Sequence, residues 1–216
     1  MVEESQNEPQ PAPKEEVRAK LSPPKKHPLR ALLSPILILG AVLGIVMWGG
    51  INTAMEWTNR SEFCISCHEM TIPYEELKKT VHYKNRSGTA LNCSDCHVAS
   101  SKTPSDYMYK SLQKIVAVRD IVGHIQGIVD TPEKFEAHRL VMAKRVWERM
   151  KERDSKECRN CHSFANMDTE KQKSRSQIKH EEAQEDKLTC IDCHKGIAHK
   201  PIQHLLEKEN AAKAEK

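Results

Sequence analysis

The order of apolar and polar positions divides this chain into stretches of different character. Residues 1–30 are rich in Pro, Glu and Lys with almost nothing to bury, which predicts a disordered segment. From Ala31 to Met55 the chain reads ALLSPILILGAVLGIVMWGGINTAM, without one charged residue. Those 25 residues exceed the roughly 20 that cross a hydrocarbon layer. Pro35 falls near the start, where a helix tolerates it. A cleaved signal peptide has an apolar region of about 7–15 residues and a small-x-small cleavage site. This run is longer and no clean site follows, so an uncleaved anchor is expected. Farther on, apolar residues recur at helical spacing within 105–153, predicting two helices. The first carries Leu112, Ile115, Val116, Ile121, Val122, Ile125 and Ile128. The second follows Gly127 and Asp130, with Thr131 as its cap and Pro132 at its first position. It presents Phe135, Met142, Val146, Trp147 and Met150 on one side. No strand-like alternation occurs anywhere. The expected fold is mainly α-helical, with one N-terminal transmembrane helix, a small helical domain over 56–201 and a charged tail over 202–216.

Composition changes that picture in one respect. Only 38% of the 216 residues are hydrophobic and 5% aromatic, and much of the apolar content sits in the anchor. The rest would be hard pressed to build an ordinary core, since burial scales with apolar area. The net charge of +4 is mild and spread along the chain, with no nucleic-acid signature.

The missing apolar mass is explained by the cysteines. All eight fall in four C-x-x-C-H motifs: Cys64/Cys67/His68, Cys93/Cys96/His97, Cys158/Cys161/His162 and Cys190/Cys193/His194. This spacing suits covalent haem: two thiols add across the vinyl groups, and the adjacent histidine reaches the iron. Paired C-x-x-C can also hold zinc, with about 15–20 residues between pairs. The gaps here are longer, and neither zinc nor a disulfide framework accounts for a histidine after every second cysteine. Four c-type haems are therefore expected, as the buried mass of a domain of two dihaem modules that needs them to fold. The modules show as a repeat, motif, lone histidine, motif, with His82 in the first half and His180 in the second.

Flanking charge gives the orientation. Arg18, Lys20, Lys25, Lys26 and Arg30 precede the anchor with no acidic residue among them; Glu56, Arg60 and Glu62 follow it. The positive-inside rule puts the N-terminus in the cytoplasm and the haem domain outside. That agrees with attachment of bacterial c-type haem on the periplasmic side of the inner membrane.

Low-spin haem needs a second axial ligand, usually His or Met. His82, His180 and His199 each lie in a short loop near a motif and are the candidates. His27 falls on the cytoplasmic side. His124 and His138 sit in predicted helices and read as surface or core histidines, and His204 as part of the tail. The first motif continues to Met70, two residues past His68 and so near the first iron. If three histidines serve three haems, the first haem is the odd one and lies nearest the membrane, where electrons would arrive.

The chain resembles the NapC/NirT family of membrane-anchored tetrahaem quinol dehydrogenases. The likeness runs from the anchor to about Pro201 and includes FCISCHEM at 63–70, VHYKNRSG at 81–88, DTPEKFEAHRL at 130–140, DSKECRNCH at 154–162 and TCIDCHKGIAHK at 189–200. The resemblance implies oxidation of membrane quinol, ubiquinol or menaquinol, and electron delivery to a periplasmic reductase or its cytochrome subunit, with nitrate reductase first. It implies that His68 or Met70 ligates the first haem beside the quinol site, and that His82, His180 and His199 are distal ligands. Lys114 and Asp120 resemble the family's quinol-site pair, in which a carboxylate takes a proton while a cation orients the oxygen. Six residues on a helix turn through about 240°, so the two flank a face rather than share one. Asp120 alternatively pairs with His124 one turn on. The competing assignments are donation to a nitrite or N-/S-oxide reductase, a terminal multihaem reductase and a bare structural anchor. A terminal reductase needs an iron open to substrate, which only the first haem could offer. Homo-oligomerisation stays open.

Overall fold

The computed structural model describes residues 34–215. The expected tail over 1–30, the basic residues ahead of the anchor and His27 lie outside them. Among the described residues there is no strand, in keeping with the helical class expected. The chain divides after Asn52 into two units.

Up to that point the described chain is part of one helix, α1 (Pro35–Trp57), which starts and ends slightly later than the apolar run suggested. None of its residues is buried, and Ile36, Leu39, Leu43, Ile45 and Val46 all stand more than half exposed. At 1.5 Å per residue, 23 residues rise about 35 Å, enough for a hydrocarbon layer of about 30 Å. A helix apolar on every side has nothing to gain from water.

The second unit begins at Thr53 and is built from short helices. In order these are α2 (Ser61–Cys64), a 3-10 turn (His68–Met70), α3 (Thr71–Leu77), α4 (Cys93–His97), α5 (Pro104–Val116), α6 (Val118–Ile125) and α7 (Pro132–Glu152). They are followed by α8 (Lys156–Arg159), two 3-10 turns (Phe164–Asn166 and Thr169–Lys171), α9 (Ser174–Glu185), α10 (Cys190–Cys193) and α11 (Gln203–Ala214). Thr131 caps α7 as expected, its hydroxyl accepting from the Lys134 amide at 3.3 Å, with Pro132 at the first position. Thr103 and Pro104 repeat the device on α5.

Two expectations need correction. The first helix of the 105–153 stretch is broken at Ala117 into α5 and α6, so Lys114 and Asp120 stand on different helices. His180 lies within α9 rather than in a loop. The charged C-terminal stretch forms α11. A solvated stretch without apolar periodicity can still be helical through side-chain pairs. Here Lys213 pairs with Glu209 at 2.6 Å, and Lys144 of α7 also reaches Glu209.

The apolar core is very small. Among the described residues only Leu77, Ala99, Phe135, Ile191 and Ile202 are buried hydrophobics. Buried polar and charged residues outnumber them: Ser61, Glu69, Asp106, Lys110, Arg139, Ser155 and Glu157. Asp106 accepts from Thr103 at 2.7 Å, from Lys156 at 2.7 Å and from Arg153 at 3.3 Å, tying the start of α5 to the turn between α7 and α8. The Arg153 guanidinium lies 4.0 Å from the centre of the Tyr109 ring. These networks tie together a domain with few buried apolar side chains.

Candidate functional site

The C-x-x-C-H motifs form a spatial series in chain order. The first and second meet at Ser61, whose hydroxyl donates to Asn92 at 3.2 Å and accepts from the Cys93 amide at 3.3 Å. The second and third lie on packed helices, α4 and α8, with Lys102 donating to Asn160 at 3.0 Å. The third and fourth meet at fully buried Ser155, whose hydroxyl accepts from the Ile191 amide at 3.1 Å. Asp154 and Ser155 both take left-handed backbone angles, φ +51° and +49°, which turn the chain sharply from α7 into the third motif.

Two motifs share a local device that sequence reasoning missed. Asn92 precedes Cys93 and the Asp95 carboxylate accepts from the Asn92 amide at 2.7 Å; Thr189 and Asp192 repeat this at 2.9 Å. Each is a capping box that starts a one-turn helix through the two cysteines. A polar residue three positions before an Asp was the available signal. No cysteine is disulfide-bonded.

The histidines come together in pairs. Ring centres lie 6.4 Å apart for His82 and His162, 6.1 Å for His97 and His199, and 6.0 Å for His180 and His194. Two imidazoles binding one metal from opposite sides, each nitrogen about 2 Å from it, have ring centres roughly 6 Å apart. The motif histidines are thus spaced to share an iron with His82, His199 and His180. The tautomers suit this in two pairs. His180 Nδ1 donates to Gln172 Oε1 at 2.7 Å and His199 Nδ1 to the Pro73 carbonyl at 3.2 Å, leaving Nε2 free to bind metal. His82 Nδ1 is buried without a hydrogen-bond partner. Burial pushes the His97 imidazole down to about 4, and the His199 and His194 imidazoles also below their ordinary value, so all three stay neutral as metal binding requires. Cys96 and His97 line a small open cleft with Gln113, Val146, Arg149 and Met150. The residues present fit covalent haem.

His199 is held from outside the pair. Arg139 of α7 grips Glu76 of α3 through two bonds of 2.9 and 2.7 Å, and Glu76 accepts from the Lys200 amide at 3.0 Å. The loop carrying His199 also needs Gly196, at φ +78°, where a Cβ would lie 3.1 Å from Pro201 Cα.

The remaining site residues are placed less tightly. Lys114 Nζ donates to the Thr58 carbonyl at 3.2 Å and hydroxyl at 3.0 Å, and burial lowers its basicity. Asp120 is 75% exposed and pairs only with Arg119, at 3.8 Å, among the described residues; it does not meet Lys114, nor His124 as the helix-pair alternative held. Met70 ends the 3-10 turn after His68 and is 40% exposed. His138 donates into its own helix, at the Lys134 carbonyl, 2.9 Å away. His124, read from the sequence as a surface or core residue, instead faces His68 with ring centres 5.8 Å apart, and its Nδ1 meets Glu69 at 2.5 Å. The two partners lie 55 positions apart, beyond the reach of a local pattern.

Comparison with known proteins gives concordant matches. Residues 27–204 match the NapC/NirT cytochrome c family, N-terminal region. The chain is 53% identical over 176 residues to the cytochrome c-type protein NapC of Escherichia coli K12, covering 81% of this chain and 86% of that one. It is 51% identical over 181 residues to the denitrification system component NirT of Stutzerimonas stutzeri, covering 83% and 88%. A protein described as a putative tetraheme cytochrome-c type, from Allochromatium vinosum, is 44% identical over 166 residues, covering 76% and 88%. No solved structure matches the chain.

Proposed function

Because the chain belongs to the NapC/NirT cytochrome c family, we propose that it oxidises membrane quinol and passes the electrons, through four covalent haems, to a periplasmic reductase. Membership makes it a c-type cytochrome and, with the apolar α1, a membrane-anchored protein. The observation that carries the proposal is the spatial series of motifs, of which the second, third and fourth each present a histidine to a second histidine at metal-sharing distance. Such a series is a wire.

In this reading Cys64, Cys67, Cys93, Cys96, Cys158, Cys161, Cys190 and Cys193 hold the haems. His68, His97, His162 and His194 would be the motif ligands to iron, and His199, His82 and His180 would share an iron with His97, His162 and His194. Bound haem supplies one-electron redox chemistry at each iron. The rest falls to side chains. Quinol gives up two protons with its two electrons, so a base must stand where the hydroxyls are. Asp120 is open to solvent and one turn before His124 on α6, which meets the first motif; it takes a proton and releases it to water. Lys114 donates to the quinol oxygen, exchanging one of its bonds to Thr58. The N-terminus is assigned to the cytoplasm and the haem domain to the periplasm.

Nitrate reductase, or its cytochrome subunit, is the partner proposed first. Donation to a nitrite or N-/S-oxide reductase is the alternative, since the identities to NapC and NirT differ by two percentage points. The test uses the purified full-length protein. Mass spectrometry should show four covalent haems, a quinol analogue should reduce them, and the periplasmic partner should reoxidise them. A protein reduced by dithionite but inert to quinol would overturn the function while leaving the cytochrome intact.

A further inference from the structure

Exposed large apolar side chains are not spread evenly over the second unit. Among the described residues α7 leaves only Val141 open and α9 only Ile178, while α11 leaves none. On α6, by contrast, Val118, Ile121, Val122 and Ile125 are all between 45% and 77% exposed. These four occupy roughly 100° of the helix circumference, and Arg119, Asp120, Gly123 and His124 fill the other side. His124, through which α6 meets the first motif, lies roughly 110° round from the centre of the apolar face. The motif therefore sits against the polar side and leaves the apolar side uncovered.

The surroundings of α6 say what covers it. The last turn of α1, from Thr53, belongs to the second unit, and Glu56 is the first charged residue after the apolar run. Buried Lys110 donates to Glu56 at 2.6 Å and Lys114 to the Thr58 hydroxyl at 3.0 Å, so α5 is tied to the point where α1 leaves the bilayer. Trp57 stands there 55% exposed, with its ring centre 5.0 Å from that of Phe63, in the place aromatic residues take at a membrane–water boundary. From Lys114 to the start of α6 at Val118 is about 6 Å of helix rise. The headgroup layer is itself roughly 5–7 Å deep on each side, half the difference between a whole bilayer and its hydrocarbon core. On so short a tether, the nearest apolar surface for α6 is lipid.

We propose that α6 is an interfacial helix, lying along the membrane surface with Val118, Ile121, Val122 and Ile125 in the headgroup–acyl boundary of the leaflet from which α1 emerges. The proposal rests on the membrane anchoring that the family and α1 give, and not on quinol oxidation. Arg119 flanks the face at its edge, where a long basic side chain lies along apolar surface and reaches a lipid phosphate. Asp120, roughly 150° from the centre of the face, stays in water. A single span is a swivel, and a second contact fixes the tilt of the domain on the bilayer. It also holds Lys114 and Asp120 at the depth where a membrane-borne ring arrives.

The experiment uses the full-length holoprotein in nanodiscs of phosphatidylethanolamine and phosphatidylglycerol, with a phospholipid carrying benzophenone on its acyl chain. After illumination, lipid adducts should appear on α1 and on the tryptic peptide of residues 120–134, and not on peptides of α7 or α9. A labelled α1 with an unlabelled 120–134 peptide overturns the proposal, whether haem, a second copy of the chain or water covers the face instead. Ile121→Asp with Ile125→Asp should cut the labelled fraction of that peptide about tenfold against α1 in the same digest, since two carboxylates replace apolar area in the boundary. Undiminished labelling overturns the proposal as well. Both positions bury little, so the covalent haem mass should match the parent; if the pair loses haem, Ile125→Asp alone carries the same comparison. No reading here uses quinol, so a protein labelled on α6 yet inert to quinol loses the proposed function and keeps the interfacial helix.

Discussion

The first and second motifs sit side by side, yet their surroundings are opposite in kind. His97 meets His199 in a setting that lowers both imidazoles by burial, and the loop bearing His199 is clamped by Glu76 and Arg139, whose side chains are 18% and 7% exposed. His68 meets His124 with side chains 64% and 41% exposed, and one buried carboxylate as the fixed element. Nearby on α6, Asp120 is three-quarters exposed. An interior redox site gains from rigid, neutral, water-poor surroundings, because nothing but electrons need pass. A site that strips protons from a substrate needs access to solvent. The contrast between the two motifs is what a wire with an input end requires.

The largest expected effect breaks the comparison at its open end. Asp120→Asn keeps the shape of the side chain but cannot act as a base at neutral pH, and should lower quinol-analogue turnover by roughly 10²–10⁴-fold. Haem content, dithionite reduction and reoxidation by the partner should be normal in the same preparation. Lys114→Ala should act mainly on the quinol KM. Parent-rate oxidation by Asp120→Asn would make Asp120 a surface carboxylate and no more.

The next effect belongs to the closed site. Arg139→Ala leaves Glu76 poorly compensated against the Lys200 amide, and breaking a buried pair costs about 3 kcal/mol. The unfolding midpoint of the holoprotein in denaturant should fall accordingly, and the His97-linked haem should lose low-spin character before the others. Quinol KM should not move. If Arg139→Ala alters quinol kinetics and spares stability, the two regions are not separable.

How much of this was legible follows the range of each interaction. The helical class, the covalent haem motifs and the Thr131 and Pro132 start of α7 are local patterns of a few residues, readable in one pass. The capping boxes at Asn92 and Thr189 were equally local and went unread. The break at Ala117 left no mark, because Ala favours helix and neither Pro nor Gly interrupts the run. The pairings were beyond reach: His124 finds Glu69 across 55 positions and Arg139 finds Glu76 across 63, each one of many charge pairs the composition allows. An apolar core would have constrained the packing from the sequence, but here much of the interior belongs to a group the sequence only attaches.

The capping boxes sharpen the comparison at smaller cost. The second motif has one and the first has none, since Arg60 precedes α2 without a side-chain cap. Asn92→Ala should cost about 1 kcal/mol of stability. Arg60→Ala should change stability much less, and equal losses in thermal unfolding would mean that the boxes do not distinguish the motifs.

The last effect changes with pH only in acid and concerns the closed region. Asp106 accepts from Lys156 and Thr103, which together with Arg153 hold its carboxyl down at about 2. In the unfolded chain an aspartate titrates near 4. A carboxyl whose pKa is lower in the folded state contributes its full stability above the unfolded value and loses it as pH falls toward the folded one. The gap in unfolding midpoint between parent and Asp106→Asn should therefore stay constant from neutral pH to about 4, then close between about 4 and 2. Both proteins will also lose haem ligands to protonation in acid, but that loss is common to the two and cancels in the difference. At the open end Asp120 has one partner, Arg119 at 3.8 Å, and no such clamp. A gap that persists undiminished at pH 2 would show that Asp106 holds the α5, α7 and α8 junction by shape and hydrogen bonding rather than by its charge.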